Sequence, residues 1–227
     1  MTSEKPILTV ACVLRSGKEF TPHYVNVMEH HIEKNLTVPH RFVCLSDVKV
    51  RSDRIPLEHN WRRWWPKIEL FKLPSPVLYF DLDVLVVNNI DSLANYVLSM
   101  GSDEFLCFKP IKFRDVNQVG STVLAWTGDF SFVYNEFVPT ANKLMLKYGG
   151  DQRWVWKSIR RREGLKLTYI KTVQSGVYFY SIDCRDYDQQ PDDATIIIFC
   201  GHPRPPRIDK PWVRQHYQNF FPERLMK

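Results

Sequence analysis

The sequence predicts an α/β fold: one domain built on a Rossmann-like, mixed and mainly parallel sheet flanked by helices. Three observations predict it. Apolar, β-branched runs at Ile7–Leu14 and Arg41–Leu45 bracket a stretch of helical periodicity. A third run, Pro76–Asp91, is apolar almost throughout, as strands buried on both faces are. Finally, 227 residues that are 44% hydrophobic and 25% charged suffice for one sizeable core, with no repeat, low-complexity segment or linker to divide it.

The first strand, Ile7–Leu14, ends in the turn signal Arg15-Ser-Gly-Lys-Glu. Thr21-Pro22 reads as an N-cap with proline at the first helical position, and Tyr24, Met28, His31, Ile32 and Leu36 follow on one helical face. Arg41–Leu45 is the second strand, closed by Ser46-Asp47. In such a strand–helix–strand unit ligands sit beyond the carboxyl ends of the strands, where Arg15 and Asp47 lie. The short Ser-Gly-Lys is neither a dinucleotide fingerprint nor a P-loop. Pro66 starts a helix that turns Ile68, Leu70 and Phe71 inward, after Trp61, Trp64 and Trp65. Asp91 is expected to cap a helix, Glu104–Phe108 and Gly120–Trp126 to be strands, and Gly128-Asp129 to open a helix that Pro139 interrupts. Asp151 is expected to cap a helix running to Gly164, with strands at Leu167–Lys171, Val177–Tyr180 and Thr195–Cys200 beyond it.

Two acids, Asp81 and Asp83, interrupt the central run. Ionised carboxylates at the end of a buried strand are costly unless a cation or hydrogen bonds compensate them. They could cap the strand or meet a basic side chain. On an extended segment they would face one side together, an oxygen-rich site suited to Mg²⁺ or Mn²⁺.

Tyr-Phe-Asp-Leu-Asp-Val-Leu-Val-Val-x-x-Ile-Asp, followed by a helix, resembles the metal-binding strand of nucleotide-sugar glycosyltransferases with the GT-A fold. It is most similar to the glycogenin-like group and its small bacterial and phage relatives. Trp64-Trp-x-Lys-x-Glu-Leu-Phe71, Gly120-Ser-Thr, Asp151-Gln152 and Phe199-Cys-Gly-His-Pro-Arg-Pro205 resemble further stretches of that group, in order, over about residues 7 to 212. The resemblance implies a nucleotide-binding half at about 7–91 and an acceptor-side half at about 92–227. It implies a retaining transfer from a nucleoside diphosphate sugar, with Mn²⁺ or Mg²⁺ at Asp81 and Asp83. Asp151 and Gln152 would be catalytic; Arg15, Tyr24, Asp47, Lys67, Asp81, Ser121 and Arg204 would bind the sugar nucleotide. Relatives carry a third ligand, histidine, where this chain has Cys200; His202, two residues on, is the candidate replacement. Cysteine suits a hard metal poorly.

The net charge of +6 calls for anionic company: sugar nucleotides, phosphorylated saccharides, lipid head groups or nucleic acid. Arg204, Arg207 and Lys210 on a proline-stiffened loop form a potential anion clamp. The acceptor is expected to be a bacterial saccharide or glycolipid, or a modified DNA base. The latter rests on the basic segment holding Trp154 and Trp156. Five scattered cysteines without a Cys-x-x-Cys pair exclude a disulfide framework and argue against structural zinc. No apolar run spans a bilayer and no signal peptide is evident, which favours the cytoplasm and no integral membrane segment. Two other classes compete. In a haloacid-dehalogenase-type phosphatase, Asp81 would be the nucleophile and Asp83 the general acid/base. A non-catalytic nucleic-acid-binding module would have no use for paired buried acids.

Overall fold

The computed structural model describes residues 7–17, 19–110 and 118–226. The N-terminal hexapeptide and Lys18 of the first turn signal lie outside them. In chain order the elements are β1 (Leu8–Leu14), α1 (Pro22–Asn35), β2 (His40–Ser46), β3 (Asp53–Pro56), a 3₁₀ helix (Trp65–Lys72), β4 (Val77–Phe80), β5 (Val84–Val86), α2 (Asp91–Ser99), β6 (Glu104–Phe108) and β7 (Gly120–Trp126). There follow α3 (Phe132–Asn135), α4 (Ala141–Tyr148), α5 (Asp151–Ile159), β8 (Lys166–Tyr169), β9 (Val177–Phe179), β10 (Ile196–Ile198) and α6 (Pro211–Arg214).

Seven strands form one sheet in the order β3-β2-β1-β4-β7-β6-β8. Neighbours pair in parallel except at β7, which is antiparallel to both β4 and β6. The mixed, mainly parallel sheet expected from the sequence is therefore present. Alternation explains the core: Leu78 and Phe80 of β4 join Val123 and Ala125 of β7 on one face, beneath Met28 and Ile32 of α1. Val77 and Tyr79 join Leu124 and Trp126 on the other face, against Trp61, Trp65 and Phe71. The α1 face foreseen from its periodicity, Tyr24, Met28, His31, Ile32 and Leu36, is buried throughout.

The central run is not one strand. β4 stops at Phe80, Asp81-Leu82-Asp83 turns, and β5 belongs to a second sheet of order β5-β10-β9. The turn is pinned at both ends. Asp81 N donates to Thr122 O (2.9 Å), continuing the ladder to β7, and Phe199 N donates to Asp83 O (3.0 Å), opening the ladder to β10. Buried Leu82 anchors the turn in a third apolar cluster with Ile197, Phe199 and Trp212.

Helix entries differ from expectation in three places. Thr21 and Pro22 do take the N-cap and first helical positions of α1, but the Thr21 hydroxyl makes no capping bond and is buried without a partner. Asp91 is the first residue of α2 rather than its cap. Its carboxylate accepts Thr37 N (2.7 Å) and Thr37 Oγ1 (2.5 Å), tying α2 to the loop before β2. Asp151 is likewise the first residue of α5, with Gly150 ahead of it, and α5 ends at Ile159 rather than Gly164. The helix begun at Pro66 is 3₁₀, and β3 lies in a stretch whose polar composition gave no strand signal. Pro139 does separate two helices, α3 and α4. No helix of the described residues is long and apolar enough to cross a membrane.

Candidate active site

The site lies where the two sheets meet, at the carboxyl end of β4, with the turn Asp81–Asp83 at its centre. Asp81 stays on the face that β4 gives to Tyr79, two residues earlier, and the Tyr79 hydroxyl donates to its carboxylate. From the 3₁₀ helix Lys67 reaches the same carboxylate, its Nζ 2.7 Å from Oδ1 and 2.9 Å from Oδ2. Lys67 also donates to Ser121 Oγ (3.2 Å) on β7 and stands 3.7 Å from Asp151 Oδ2 at the start of α5. Asp83, at the end of the turn, has its own cation. Its Oδ2 accepts Arg204 Nη1 at 2.6 Å, and Arg204 Nε donates to Glu19 Oε2 at 2.7 Å.

The electrostatics follow from this division. Burial pushes the Asp83 carboxyl up to about 7, Asp81 adds to the rise, and Arg204 opposes it. Burial also raises Asp81, against the pull of Lys67. Burial alone would lower Lys67, but Asp151 and Asp81 outweigh it and hold the ammonium well above its ordinary range. The site concentrates more negative charge than two cations comfortably balance. In keeping with this, Asp151 Oδ2 is buried and accepts no hydrogen bond.

The structure thus brings Lys67, Asp81, Ser121 and Asp151 into one cluster and joins Asp83 and Arg204 beside it. Gln152 lines the same cleft as Lys67 and Asp151. Arg15 and Asp47 form their own pair at 2.8 Å, with Ser16 N and Oγ donating to the same carboxylate. Tyr24 is a core residue, edge-on to Phe20 and Phe221. Burial raises its hydroxyl to about 12, with Arg204 opposing. His202 does not join the acids: its ring is 69% exposed and its Nε2 lies 3.0 Å from Glu19 Oε1. Cys200 does approach them: although the residue is exposed at the surface, partial desolvation of its thiol and then Asp83 and Asp81 raise it.

Among the described residues no group of three or more His, Cys, Asp and Glu side chains gathers to hold a metal ion. The hard donors present are the two carboxylates, and a protonated thiol adds nothing to them. Two carboxylates fit Mg²⁺ or Mn²⁺ in the mode where the ion keeps several waters and shares phosphate oxygens, not in a closed protein cage.

Sequence reading missed Tyr79 and Glu19. Tyr79 was within reach, since it sits two residues from Asp81 on one strand face. Glu19 is 185 residues from Arg204, and no local pattern could link them. Asp192 and Asp193, the acidic pair ahead of β10, are exposed and give the phosphatase reading no second set of acids; Asp193 accepts the Tyr178 hydroxyl (2.7 Å). Of the tryptophans of α5, Trp154 offers no stacking face, being buried and donating to Val133 O (2.9 Å), and Trp156, half-buried, packs against the same apolar cluster.

No protein-family model and no curated protein matches this sequence. Solved structures do match its fold. An active-site mutant of LgtC is 13% identical, with 95% of this chain and 98% of that chain covered at a TM-score of 0.60. The galactosyltransferase LgtC in complex with donor and acceptor sugar analogues is 14% identical, with 95% and 98% covered at 0.58. The glycosyltransferase GlyE of Streptococcus pneumoniae TIGR4 is 11% identical at 0.60; the match covers 96% of this chain but 62% of GlyE, less than two thirds of its length. At such identities the fold is what is shared, and it is the GT-A fold of glycosyltransferases.

Proposed function

We propose that this protein is a glycosyltransferase that moves a sugar from a nucleoside diphosphate donor to an acceptor hydroxyl. One observation carries the reading: in a GT-A fold, at the carboxyl end of a central strand, Asp81 and Asp151 converge on Lys67 while Asp83 meets Arg204. Such placement of charge is what departure of a diphosphate requires.

In the reaction the bond from the anomeric carbon to the diphosphate oxygen breaks, and its electron pair leaves with the phosphate. The acceptor oxygen bonds to that carbon, and its proton passes to the departing phosphate. Asp81 and Asp83 would hold Mn²⁺ or Mg²⁺, which when bound neutralises charge building on the leaving group. Lys67 and Arg204, charged throughout, add to that neutralisation. Asp151 and Gln152 flank the anomeric carbon, with retention of configuration. The acceptor is a saccharide or glycolipid; of the two tryptophans that suggested a DNA base, Trp154 is buried and Trp156 is partly covered by the same apolar cluster.

The test is transfer from a panel of nucleoside diphosphate sugars with Mn²⁺, comparing the native chain with Asp81→Asn. Turnover in the variant is expected to fall by about 10²-fold or more with the fold retained. A near-normal rate would overturn the assignment.

A further inference from the structure

Beside the acid cluster opens a cleft of about 460 Å³, within the range of small-molecule sites. Its walls are two aromatic rings the proposed reaction leaves unused. Trp64 is 39% exposed, and its indole lies over Gly150, where an added Cβ would come within 3.5 Å of Nε1. Tyr148, half-buried, stands at the end of α4, which Gly149 closes at φ 64°. Asp151 lies within the lining, its Oδ2 without a hydrogen bond.

Cations surround these walls. The Arg63 guanidinium lies 5.6 Å from the Trp64 ring, and the ammonium groups of Lys147 and Lys157 lie 5.7 and 5.3 Å from the Tyr148 ring. Arg153, exposed, lines the cleft itself. Among the described residues none of these four cations is paired with a carboxylate. Further along the same segment Arg162 is paired, 2.5 Å from Glu136. The ligand chemistry is therefore threefold. An aromatic wall takes the C–H face of a ring, a buried carboxylate oxygen accepts a hydroxyl proton, and an unpaired guanidinium takes an anionic substituent.

We propose that this cleft binds a sugar ring carrying a carboxylate or a phosphate, so that the enzyme is selective for an anionic saccharide. The proposal rests on the transferase reading for its role in catalysis, but not for the binding itself. The charged ring belongs either to the acceptor or to the donor, a hexuronic acid in the latter case.

Calorimetric titration of the full chain tests it, with methyl glucuronide, glucose 6-phosphate, methyl glucoside, inorganic phosphate and a short oligonucleotide as probes. One or both charged sugars are expected to bind about tenfold or more tighter than methyl glucoside, as one charge-assisted hydrogen bond allows. That preference should vanish in Arg153→Gln, while Trp64→Ala should weaken every sugar alike. Both side chains are exposed, so the variants are expected to fold, and circular dichroism checks that they do. Equal affinity for neutral and charged sugars would overturn the proposal, as would inorganic phosphate or the oligonucleotide binding as tightly as the charged sugars. Competition between the charged sugar and a nucleoside diphosphate sugar would assign it to the donor, and simultaneous binding to the acceptor; either supports the cleft. If, with Mn²⁺ present, no nucleoside diphosphate sugar binds while the charged sugar does, the transferase reading fails and the cleft stands.

Discussion

Two histidines make part of this protein's stability sensitive to acid. His31 of α1 is 5% exposed, and its Nδ1 lies 2.6 Å from Val86 O, at the end of β5. Burial pushes it down to about 4; the Val86 carbonyl opposes the shift, while His30 and Lys34 add to it. His216, whose ring centroid is 5.0 Å away, is lowered to about 4 as well, first by burial and then by His31. A histidine whose folded pKa is depressed leaves stability intact above the unfolded value and removes it as the unfolded state protonates first. The histidines' contribution should therefore fall as pH drops from about 6.5 to about 4, by on the order of 3 kcal/mol for His31 and less for the more exposed His216, while Asp83, raised to about 7, acts in the opposite sense. Urea midpoints at about pH 7 and about pH 5 check this: His31→Gln should show a smaller acid loss than the native chain. An equal loss in both would remove His31 from the account. At this scale the sequence was legible for side chains that act on local neighbours. It placed His31 on the buried face, and it singled out Asp81, Lys67 and Asp151. It could not show that Asp81 and Asp83, on one turn, meet different cations, because Arg204 lies 121 residues from Asp83.

That turn belongs to the level of elements, where the sequence was least explicit. Val84, Val86 and Val87 continue the apolar character of Tyr79 and Phe80, so composition gives no sign that one run feeds two sheets. The second sheet is assembled from segments over 90 residues apart, and only the pairing of Ile196–Ile198 with Val84–Val86 reveals it. Its register depends on Gly176, which turns at φ 66° ahead of β9. The Gly176 carbonyl accepts Thr195 N (2.8 Å) and Ile196 N (3.2 Å), and an added Cβ would sit 2.0 Å from Asp193 O. Backbone cannot yield as a side-chain tip does, so Gly176→Ala should cost about 3 kcal/mol and displace β10, the strand that leads to Cys200 and Arg204. Gly17→Ala is the control: its φ of 97° is also strained, but nothing lies within 4 Å of the added methyl. Urea midpoints of the two variants should separate by about 2 kcal/mol, and equal midpoints would mean that the close approach carries no cost beyond backbone strain.

For the molecule as a whole, the parallel half of the large sheet was legible because β1, α1 and β2 are contiguous and each carries a clean periodicity. The antiparallel insertion of β7 between β4 and β6 was not, since strand order is set by packing between distant segments. The same assembly gathers acids from the turn after β4 and from α5 around two cations, and it leaves the folded state with buried negative charge that a cation and a diphosphate would together relieve. Binding confined to the folded state must raise its stability, by about 2.7 kcal/mol at a hundredfold excess over the dissociation constant. For a chain of this length that is a rise of about 5 to 10 °C in the thermal midpoint. With Mn²⁺ and the cognate nucleoside diphosphate sugar together, the native chain should show this rise. With the sugar nucleotide alone it should show much less, because the phosphates would then meet Asp81 and Asp83 with no added positive charge between them. Asp83→Asn should lose most of the metal-dependent part. A full rise without metal, undiminished in Asp83→Asn, would mean that Lys67 and Arg204 meet the diphosphate unaided and that the two acids serve to hold those cations in place.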